Sequence, residues 1–600
     1  MSAASSAGES GQALQQAAAR AASHLASLQS SEGLWPNLLQ AGPYLDVLHA
    51  LAAWFLGRKD HPLQPPHGEA WARRVLSSQN PDGGFPLWHG GPSDPRYGIE
   101  TYLALRLAGL PASEPGLRAL GRTIASQGGL QEAGFIAWTK LLWAGAAHGH
   151  SKNEAVPEHY YFLDYRRWPA LTRQELLCLA SLSLASYLRD APLAAPAADP
   201  PTLEKELPPA EELESGPVVG FDLRSITSLL VSQWARMAPR PLRGPIVFRT
   251  YDAVVAEALR WPVLPVALHA ALAVQAARGR GSKALEQFER VISLLSPENP
   301  SEPARPCDYG TRSASLATLA LAGFGERERL GGAIQALLQR FRPASSSANG
   351  EPVRAGWALG DLHPQADAET TALALLALHR AGASASSQGA VREALDALIA
   401  AQGRDGGWSA HEDEPSAPDV TGAVMEALAA WGHPPDSSTI RRAVQFLEQS
   451  QHAEAWWRAS RGICRLYGTA MALRGLRAAG VDDREAAILR AGEWLRSIQN
   501  ADGGWGEDPG SHDNGVFKEA ASTPAQTAWA LLGLIAGGDS GSESVRRGFG
   551  WLMEHQNAGG GWDPAAPAMP GVAYAPYLMD PLGAASWPLL AIAERLRHPS

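Results

Sequence analysis

Cysteine, long apolar runs and basic clusters are all scarce in this sequence. It has three cysteines in 600 residues, Cys178, Cys307 and Cys464, too few and too scattered for a disulfide framework or a zinc site. That scarcity fits a reducing cytoplasm. No apolar run reaches the ~18 residues of a spanning helix. The net charge is −10, and without a basic run we do not expect nucleic acid as a partner.

Two stretches bear on location. Met1–Gln12 is rich in Ser, Ala and Gly and lacks the basic start and apolar centre of a signal peptide, so we expect a disordered lead-in and no export. The most apolar stretch is Trp261–Ala276, which is interrupted by Pro262, Pro265 and His269. It predicts either a core segment or a peripheral, monotopic membrane patch.

A repeated motif is the most informative feature. A glutamine is followed four residues later by glycine and two residues after that by an aromatic residue. A weaker copy, Gln451–Trp457, has Ala455 in place of the glycine. From Gln402 the copies recur at steps of 49, 48 and 57 residues, a period that suits two helices and two loops. The full copies are Gln29–Trp35, Gln79–Phe85, Gln402–Trp408, Gln499–Trp505 and Gln556–Trp562.

Each unit pairs an amphipathic helix before the glutamine, such as Ala491–Ile498, with an Ala/Leu-rich second helix opened by threonine. The second helices are apolar almost all round, so we expect them to be buried, as the inner ring of an α/α toroid. They are Thr101–Leu107, Thr371–Leu378, Thr421–Leu428, Thr469–Leu476 and Thr527–Leu534. We expect each of these helices to end at a glycine in the left-handed conformation: Gly109, Gly382, Gly432, Gly480 and Gly537.

The predicted fold is all-α, with two α/α barrels, one inserted in the other. Length favours two domains, and the content of 45% hydrophobic and 19% charged residues is typical of a soluble globular protein. We predict an inserted barrel over 30–340 and a second barrel over 341–600. Residues 1–29 form the lead-in and a helix, Ala13–Leu28, that packs on the second barrel. Ala191–Pro217 is Pro-, Ala- and Glu-rich and predicts a linker.

Two acids, Asp367 and Glu369, open the helix that starts near Thr371. Taken alone they predict a helix cap, because acids satisfy free N–H groups and face the positive end of the helix dipole.

The glutamine, glycine and tryptophan motifs resemble the QW motifs of the squalene–hopene cyclase family of class II terpene cyclases. Three further segments are similar to signature sequences of that family: Gln499–Asp508, Ala521–Leu531 and Leu466–Thr469. The family's Asp-x-Asp-Asp-Thr-Ala motif is matched by Asp367–Ala372. The resemblance implies a βγ architecture and an enzyme in which the central acid, here Glu369, protonates a terminal alkene. Such an acid must be protonated and dry.

The sequence differs from the family pattern at two positions around the central acid. Thr370 stands where the family has its second aspartate, which resembles the Asp-x-Asp-Thr-Thr variant of sesquiterpene-type cyclases. Ala423 replaces the family histidine that holds the acid. The resemblance therefore leaves Asp419, or more speculatively His411, to orient Glu369. Asp367 and Asp419 are the predicted supporting acids.

The family lines its cavity with aromatic rings, and this chain has Arg312, Arg461 and Arg465 at such positions. A buried arginine needs an anion, so we predict a prenyl diphosphate of farnesyl or geranylgeranyl length, cyclised with its diphosphate retained. Lys518 and Tyr577 are further candidate contacts, and Mg2+ would accompany a diphosphate, although no metal motif is clear. The alternative is that the arginines pair with Asp or Glu, or lie on a solvated rim.

Other functions remain open. Within the same enzyme class the second substrate is squalene, cyclised to hopene-like products at a membrane face. A toroid that binds a lipid or partner without catalysis is possible, because the second aspartate and the histidine are missing. Protein prenyltransferases share the toroid, but no convincing set of zinc ligands occurs here.

Overall fold

The computed structural model describes residues 2–598 except 37, 60, 133–134, 145, 147–169, 189–202, 209–239, 279–280, 300–301, 347–351, 384–387, 411–413 and 512–514. The chain divides into two compact units. The first unit comprises Met1–Leu39, Asp308–Pro570 and Met579–Ser600. The second unit comprises Gln40–Cys307 and Gly571–Leu578.

Helices dominate both units. In the first half of the chain they are α1 (Ser2–Ser27), α2 (Pro43–Phe55), α3 (His67–Leu76), α4 (Pro95–Leu107), α5 (Pro115–Ser126), α6 (Phe135–Ala144), α7 (Ala170–Leu188), α8 (Leu203–Glu206), α9 (Arg240–Ala258), α10 (Leu264–Arg278) and α11 (Lys283–Leu295). The later ones are α12 (Gly310–Phe324), α13 (Gly331–Gln339), α14 (Ala368–Ala381), α15 (Gln388–Ala400), α16 (Pro418–Ala430), α17 (Ser438–Ser450), α18 (Arg465–Ala478), α19 (Ala486–Ser497), α20 (Pro524–Ala536), α21 (Glu543–Glu554) and α22 (Pro581–Arg597).

The strands are short and lie between helices. β1 (Ser345–Ser346) pairs antiparallel with β2 (Pro352–Val353). β3 (Met569–Val572) and β4 (Ala575–Leu578) form a second two-stranded sheet. Single 3-10 turns occur at Gly129–Glu132 and Arg327–Leu330. The sheets are too small to build a core, so the all-α prediction is confirmed.

The first unit is an α/α barrel. Its inner helices α12, α14, α16, α18, α20 and α22 pack each against the next, and α22 packs back against α12, so the ring closes. Nearly every residue along them is buried, which explains why their sequences are apolar all round. The outer helices are amphipathic; α17, for example, buries only Ile440, Ala443 and Leu447. The predicted inner and outer rings are present.

The repeated motif ties neighbouring turns of this barrel together. Each motif tryptophan donates from Nε1 to a leucine carbonyl of the outer helix before it, as from Trp505 to Leu495 at 2.7 Å. The glutamine amide donates to the glycine carbonyl and to the start of the next outer helix, as from Gln499 to Gly503 and Ser544. The threonine of the inner helix accepts the tryptophan backbone N–H. These bonds satisfy groups that helix ends would otherwise leave unpaired.

Glycine ends most inner helices as predicted. Gly382, Gly432 and Gly480 have φ of 73°, 81° and 76°, the left-handed conformation that glycine adopts without penalty. For α20 the prediction was displaced by one residue, because Gly537 has φ −76° and Gly538 takes the left-handed position at 82°. The chain has two consecutive glycines there, and only the second has to adopt a positive φ.

The N-terminal helix belongs to the first unit. Helix α1 packs on α22, α12 and α21, and Gln556 donates to the carbonyl of Ala17 at 2.9 Å. The packing expected for Ala13–Leu28 is therefore observed. The prediction of a disordered lead-in is wrong, since the helix begins at Ser2. Extending a helix that is already packed costs little free energy compared with nucleating a new one.

The boundaries of the inserted barrel differ from 30–340. The second unit starts at Gln40 and ends at Cys307, because α12 is an inner helix of the first barrel, packed between α14 and α22. The structure also assigns Gly571–Leu578 to the second unit. Most of the predicted linker Ala191–Pro217 lies outside the described residues.

The second unit is also built from packed helix layers. Among its described helices, α2, α4, α6, α7 and α10 pack in sequence, and α10 returns to α2. All residues of the apolar stretch from 261 to 274 are buried, so the core interpretation holds and this stretch is not a membrane patch. No helix in the described part of the chain is both long and apolar enough to cross a bilayer.

The repeat that lost its glycine provides a stability test. Ala455 has φ 73°, which costs an ordinary residue roughly 1–2 kcal/mol. A455G relieves that strain. Glycine also raises the conformational entropy of the unfolded chain, which lowers the free energy of unfolding by ~0.4–1 kcal/mol. We expect its free energy of unfolding to rise by about 0.5–1 kcal/mol, measured by denaturant titration.

The matched control is G406A, at the same place in another repeat. There φ is 93°, and an added Cβ would lie 2.4 Å from the carbonyl oxygen of Arg442. We expect a loss of more than about 2 kcal/mol. A loss of stability in A455G would contradict the strain argument.

Candidate active site

The site lies where the inner helices of the first unit begin. Glu369, Asp419 and Tyr467 each stand two residues before the threonine that anchors a motif tryptophan, on α14, α16 and α18 respectively. Equivalent positions in successive repeats face the same layer of a toroid. Arg312 enters this layer from the first turn of α12.

Glu369 is held by three side chains. Arg312 donates from Nε to Oε2 at 3.1 Å and from Nη2 to Oε1 at 3.0 Å, and the Tyr467 hydroxyl donates to Oε1 at 2.7 Å. Nε of Arg461 lies 3.6 Å from Oε2. The Glu369 side chain is 1% exposed and that of Arg312 is 3% exposed. Both oxygens of Glu369 are therefore acceptors in a buried, bidentate ion pair.

This environment fixes the charge of Glu369. Burial raises the pKa of its carboxyl, but the charges of Arg312 and Arg461 and the bonds from Arg312 and Tyr467 together hold the pKa below its ordinary value. The resemblance led us to expect an acid that is kept protonated. The structure places Glu369 at the predicted position but as a carboxylate, because guanidinium groups replace the expected rings.

Asp367 is the N-cap of α14. Its Oδ1 accepts the Thr370 N–H at 2.9 Å, which confirms the cap interpretation, and lies 3.6 Å from Nη2 of Arg461. Its Oδ2 is buried and has no hydrogen-bond partner in the described part of the chain. Burial raises the pKa of Asp367, and the Arg461 charge opposes that rise.

Asp419 is buried and is held by the segment before α18. Its Oδ2 accepts the backbone N–H groups of Ser460 and Arg461, both at 2.9 Å. The Ser460 hydroxyl lies 3.2 Å from each oxygen. Within the described residues no cationic side chain forms an ion pair with it. Burial and then the charge of Glu369 raise the pKa of Asp419 to about 6, although the bonds from Ser460 and Arg461 oppose the rise.

Asp419 was predicted to orient Glu369 in place of the family histidine. The structure shows no hydrogen bond between the two carboxyls; Arg312 and Tyr467 hold Glu369 instead. The other candidate, His411, lies outside the described residues. Asp419 orders the segment before α18 because its carboxyl collects the N–H groups of that segment.

Arg465 does not join Arg312 and Arg461. Its Nη1 donates to Glu507 at 3.1 Å and to the Ser511 carbonyl at 2.9 Å, and its guanidinium lies 4.5 Å from the ring centre of Trp456. Glu507 also accepts the N–H groups at the start of α18, from residues 464, 465 and 466. Arg465 and Glu507 thus anchor the helix end that carries Tyr467.

The remaining predicted contacts are not brought to this cluster. Lys518 pairs with Asp508 at 3.3 Å and its side chain is 65% exposed. Tyr577 belongs to the second unit, where its ring lies 5.0 Å from that of Trp88. The three arginines pair with Glu369, Asp367 and Glu507, which is the alternative that the sequence left open.

Sequence reasoning missed Tyr467, Ser460 and Glu507. Tyr467 could have been found, because it occupies the repeat position of Glu369 and Asp419. Ser460 and Glu507 act through loop geometry that carries no local signal. No group of three or more His, Cys, Asp or Glu side chains that could hold a metal occurs among the described residues.

The sequence matches two family models. The squalene-hopene cyclase N-terminal domain matches residues 18–158 and the C-terminal domain matches residues 412–597, together more than half of the chain. The squalene–hopene cyclase of Alicyclobacillus acidocaldarius is 27% identical over 598 residues, 91% of each chain. The probable squalene–hopene cyclase of Sinorhizobium fredii is 36% identical over 222 residues, 33% of this chain and 34% of that protein.

Among solved structures, the ent-copalyl diphosphate synthase of Streptomyces platensis has the same fold. The TM-score is 0.54 at 19% identity, covering 97% of this chain and 99% of that one. The likeness extends over both barrels.

The Arg312–Glu369 pair can be tested by removing one charge or both. Breaking a buried pair leaves an uncompensated charge and costs about 3–5 kcal/mol, whereas apolar replacement of both partners is often neutral. We expect R312L to lose about that amount and R312L/E369L to recover most of it, measured as the free energy of unfolding. Additive losses in a double-mutant cycle would show that the pair is not coupled.

The pKa of Asp419 predicts a pH dependence. Its folded value of about 6 lies above the ordinary 3.8, so folding binds a proton between these values and wild-type stability falls as pH rises through this window. Asparagine cannot ionise. The stability of D419N relative to wild type should therefore increase by roughly 2 kcal/mol from about pH 4 to about pH 7.

The control for the lost charge is D396N, on the exposed side of α15. A D419N difference that stays flat across this range, as measured by urea titration at each pH, would refute the raised pKa.

Proposed function

Because this chain belongs to the squalene–hopene cyclase family of class II terpene cyclases, we propose that its acid cluster initiates cyclisation of a linear isoprenoid by protonating a terminal alkene. The acid cluster is Asp367, Glu369 and Asp419. The observation that carries the proposal is that these acids share one end of an apolar helical ring: Glu369 and Asp419 are buried, and the Asp367 side chain is 7% exposed. Among the described residues, Arg312 and Arg461 are the cations that pair with them.

The chemistry explains why such a cluster is needed. An alkene is a very weak base, so its protonation requires an acid that is shielded from water and still holds its proton. Two guanidinium groups can balance only two carboxylates. A third buried acid is more stable when neutral, because an unpaired charge in a dry site is costly. The cluster thus retains one transferable proton.

Squalene is the substrate class that the charges favour. Arg312, Arg461, Arg465 and Lys518 all have carboxylate partners, so a diphosphate would have to displace a carboxylate to bind any of them. Squalene is uncharged and requires no such exchange. A relative that matches nearly the whole chain is named a squalene–hopene cyclase. A farnesyl or geranylgeranyl diphosphate, cyclised with its diphosphate retained, is the alternative.

Two further expectations depend on the substrate. Mg2+ would accompany a diphosphate by binding its oxygens, and we assign it no step with squalene. Squalene dissolves in bilayers, so a cytoplasmic enzyme that uses it would contact the membrane peripherally, through a surface other than the buried stretch at 261–274.

The test is turnover by the full-length protein. We expect purified wild type to convert squalene to cyclic products detected by gas chromatography and mass spectrometry, and D367N/E369Q/D419N to be at least about 100-fold slower. The same assay is run with farnesyl and geranylgeranyl diphosphate, with and without Mg2+. Retained binding of a non-reactive squalene analogue, measured by calorimetry, controls for folding of the triple variant.

Each outcome decides one point. Turnover of a diphosphate alone would replace squalene by the alternative substrate class. Turnover that is equal in wild type and the triple variant would remove the acid cluster from the reaction. Failure of wild type on all three substrates would refute the proposed function.

A further inference from the structure

We infer that Asp419, rather than Glu369, donates the proton that starts the reaction. This assignment rests on the proposed function and names the acid within its cluster. It follows from which carboxyls are already paired with guanidinium groups.

Glu369 is poorly placed to hold a proton, because both of its oxygens already accept hydrogen bonds from a guanidinium group. Arg312 binds both oxygens, and Tyr467 donates a further bond to Oε1. Guanidinium groups can only donate hydrogen bonds, so a protonated Glu369 would place its O–H against an N–H donor. Glu369 could act as an acid only after the buried pair with Arg312 had separated, which costs several kcal/mol.

The guanidinium of Arg461 is the counter-charge of Asp367. Arg461 lies 3.6 Å from Asp367 and, through Nε, 3.6 Å from Glu369. Oδ1 of Asp367 also accepts the Thr370 N–H. With Arg312 and Arg461 balanced by Glu369 and Asp367, Asp419 is the carboxyl of the cluster that lacks an ion pair among the described residues.

The hydrogen bonds of Asp419 suit a neutral acid that becomes an anion. Oδ2 accepts two backbone N–H groups at 2.9 Å, as the carbonyl oxygen of a carboxylic acid can. Within the described part of the chain, Oδ1 is contacted by the Ser460 hydroxyl alone, at 3.2 Å, so its O–H can be directed to a substrate. The same N–H groups then stabilise the carboxylate that remains after proton transfer.

The groups around Asp419 set its proton affinity. Glu369 on α14 lies close enough for its charge to raise the pKa, and the N–H groups of Ser460 and Arg461 lower it. Tyr467 on α18 also interacts with Asp419, and its own pKa is well above its usual range, so it is neutral. Glu369 is therefore a positioning residue that keeps Asp419 protonated.

The step balances within the substrate and one carboxyl. The O–H bond of Asp419 breaks, the π electrons of the terminal alkene form a new C–H bond, and the adjacent carbon becomes a cation. Neighbouring alkenes then form the ring bonds. When the last cation loses a proton the substrate has been isomerised, and Asp419 regains one proton.

The decisive comparison is D419N against R312L/E369L. Asparagine still accepts both backbone N–H groups but has no acidic proton, so D419N should lose at least about 100-fold in kcat, and D419E should recover part of it. R312L/E369L removes the ion pair without leaving a charge. It should turn over at least about tenfold faster than D419N, with its pH–rate profile displaced.

The direction of that displacement is fixed. The acid must be protonated, so the rate falls as pH rises through its pKa, near pH 6 in wild type. Without the Glu369 charge the pKa of Asp419 falls, and the decline should begin at lower pH. Turnover by D419N near the wild-type rate, or a double variant as inactive as D419N, overturns the assignment.

Infrared spectroscopy provides a readout that needs no turnover. At about pH 5, below the pKa of Asp419, a protonated carboxyl band should shift when aspartate carries an isotopic label in its side-chain carboxyl, and D419N should lose that band. A band that shifts only with labelled glutamate overturns the assignment. Because this measurement is independent of substrate, a wild type inactive on every isoprenoid would refute the proposed function while the location of the proton is still determined.

Discussion

The inner helices of the first barrel all begin inside the protein, and the N–H groups of their first turns must find acceptors there. Acidic and hydroxyl side chains supply them: Asp367 caps α14, Glu507 collects the N–H groups at the start of α18, Thr523 caps α20 and Asp580 caps α22. Acidic side chains thus accept N–H groups at the starts of three of the six inner helices, α14, α18 and α22. The proposed chemistry uses acids that the architecture already needs.

The arginines alter what that layer can do. A ring at position 312 would remove the bidentate partner of Glu369 and leave only Arg461, at 3.6 Å, so burial would favour the protonated form of Glu369 more strongly. Arg312 reverses this preference by pairing with it. Such a pair contributes little net stability compared with apolar residues, so stability alone does not explain its presence. Its effect is to fix which carboxyl is charged and which is neutral.

Much of the fold could be predicted from the sequence because the repeat is local. The spacing of glutamine, glycine and tryptophan determines bonds over ten residues or fewer within each unit, as between Trp408 and Leu398. The ends of the inserted unit could not be predicted from the sequence, because the repeat that contains α14 lacks the glutamine motif. There Trp357 makes the equivalent bond to Leu337, twenty residues away. The spacing of the motif therefore cannot be recognised in that part of the sequence.

The site was predictable in its residues but not in its pairing. The three arginines and the acids Asp367, Glu369 and Asp419 were identified, but Glu507 was not. Whether an arginine meets a ligand or a carboxylate depends on side-chain directions across several helices. Arg312 and Glu369 are separated by 57 residues, and no sequence pattern links them. The equivalence of Tyr467 with the two acids was available from the repeat and would have indicated a third group.

The bond between Gln556 and the carbonyl of Ala17 joins residues 539 positions apart. At about 5–20 residues per second, ribosomal synthesis separates these two groups by roughly half a minute to two minutes. During that interval the face of α1 that carries Leu14, Ala17, Ala21 and Leu25, all buried in the finished barrel, has no partner from α21 or α22. Helix α1 can therefore be fully enclosed only after α21 and α22 have been synthesised.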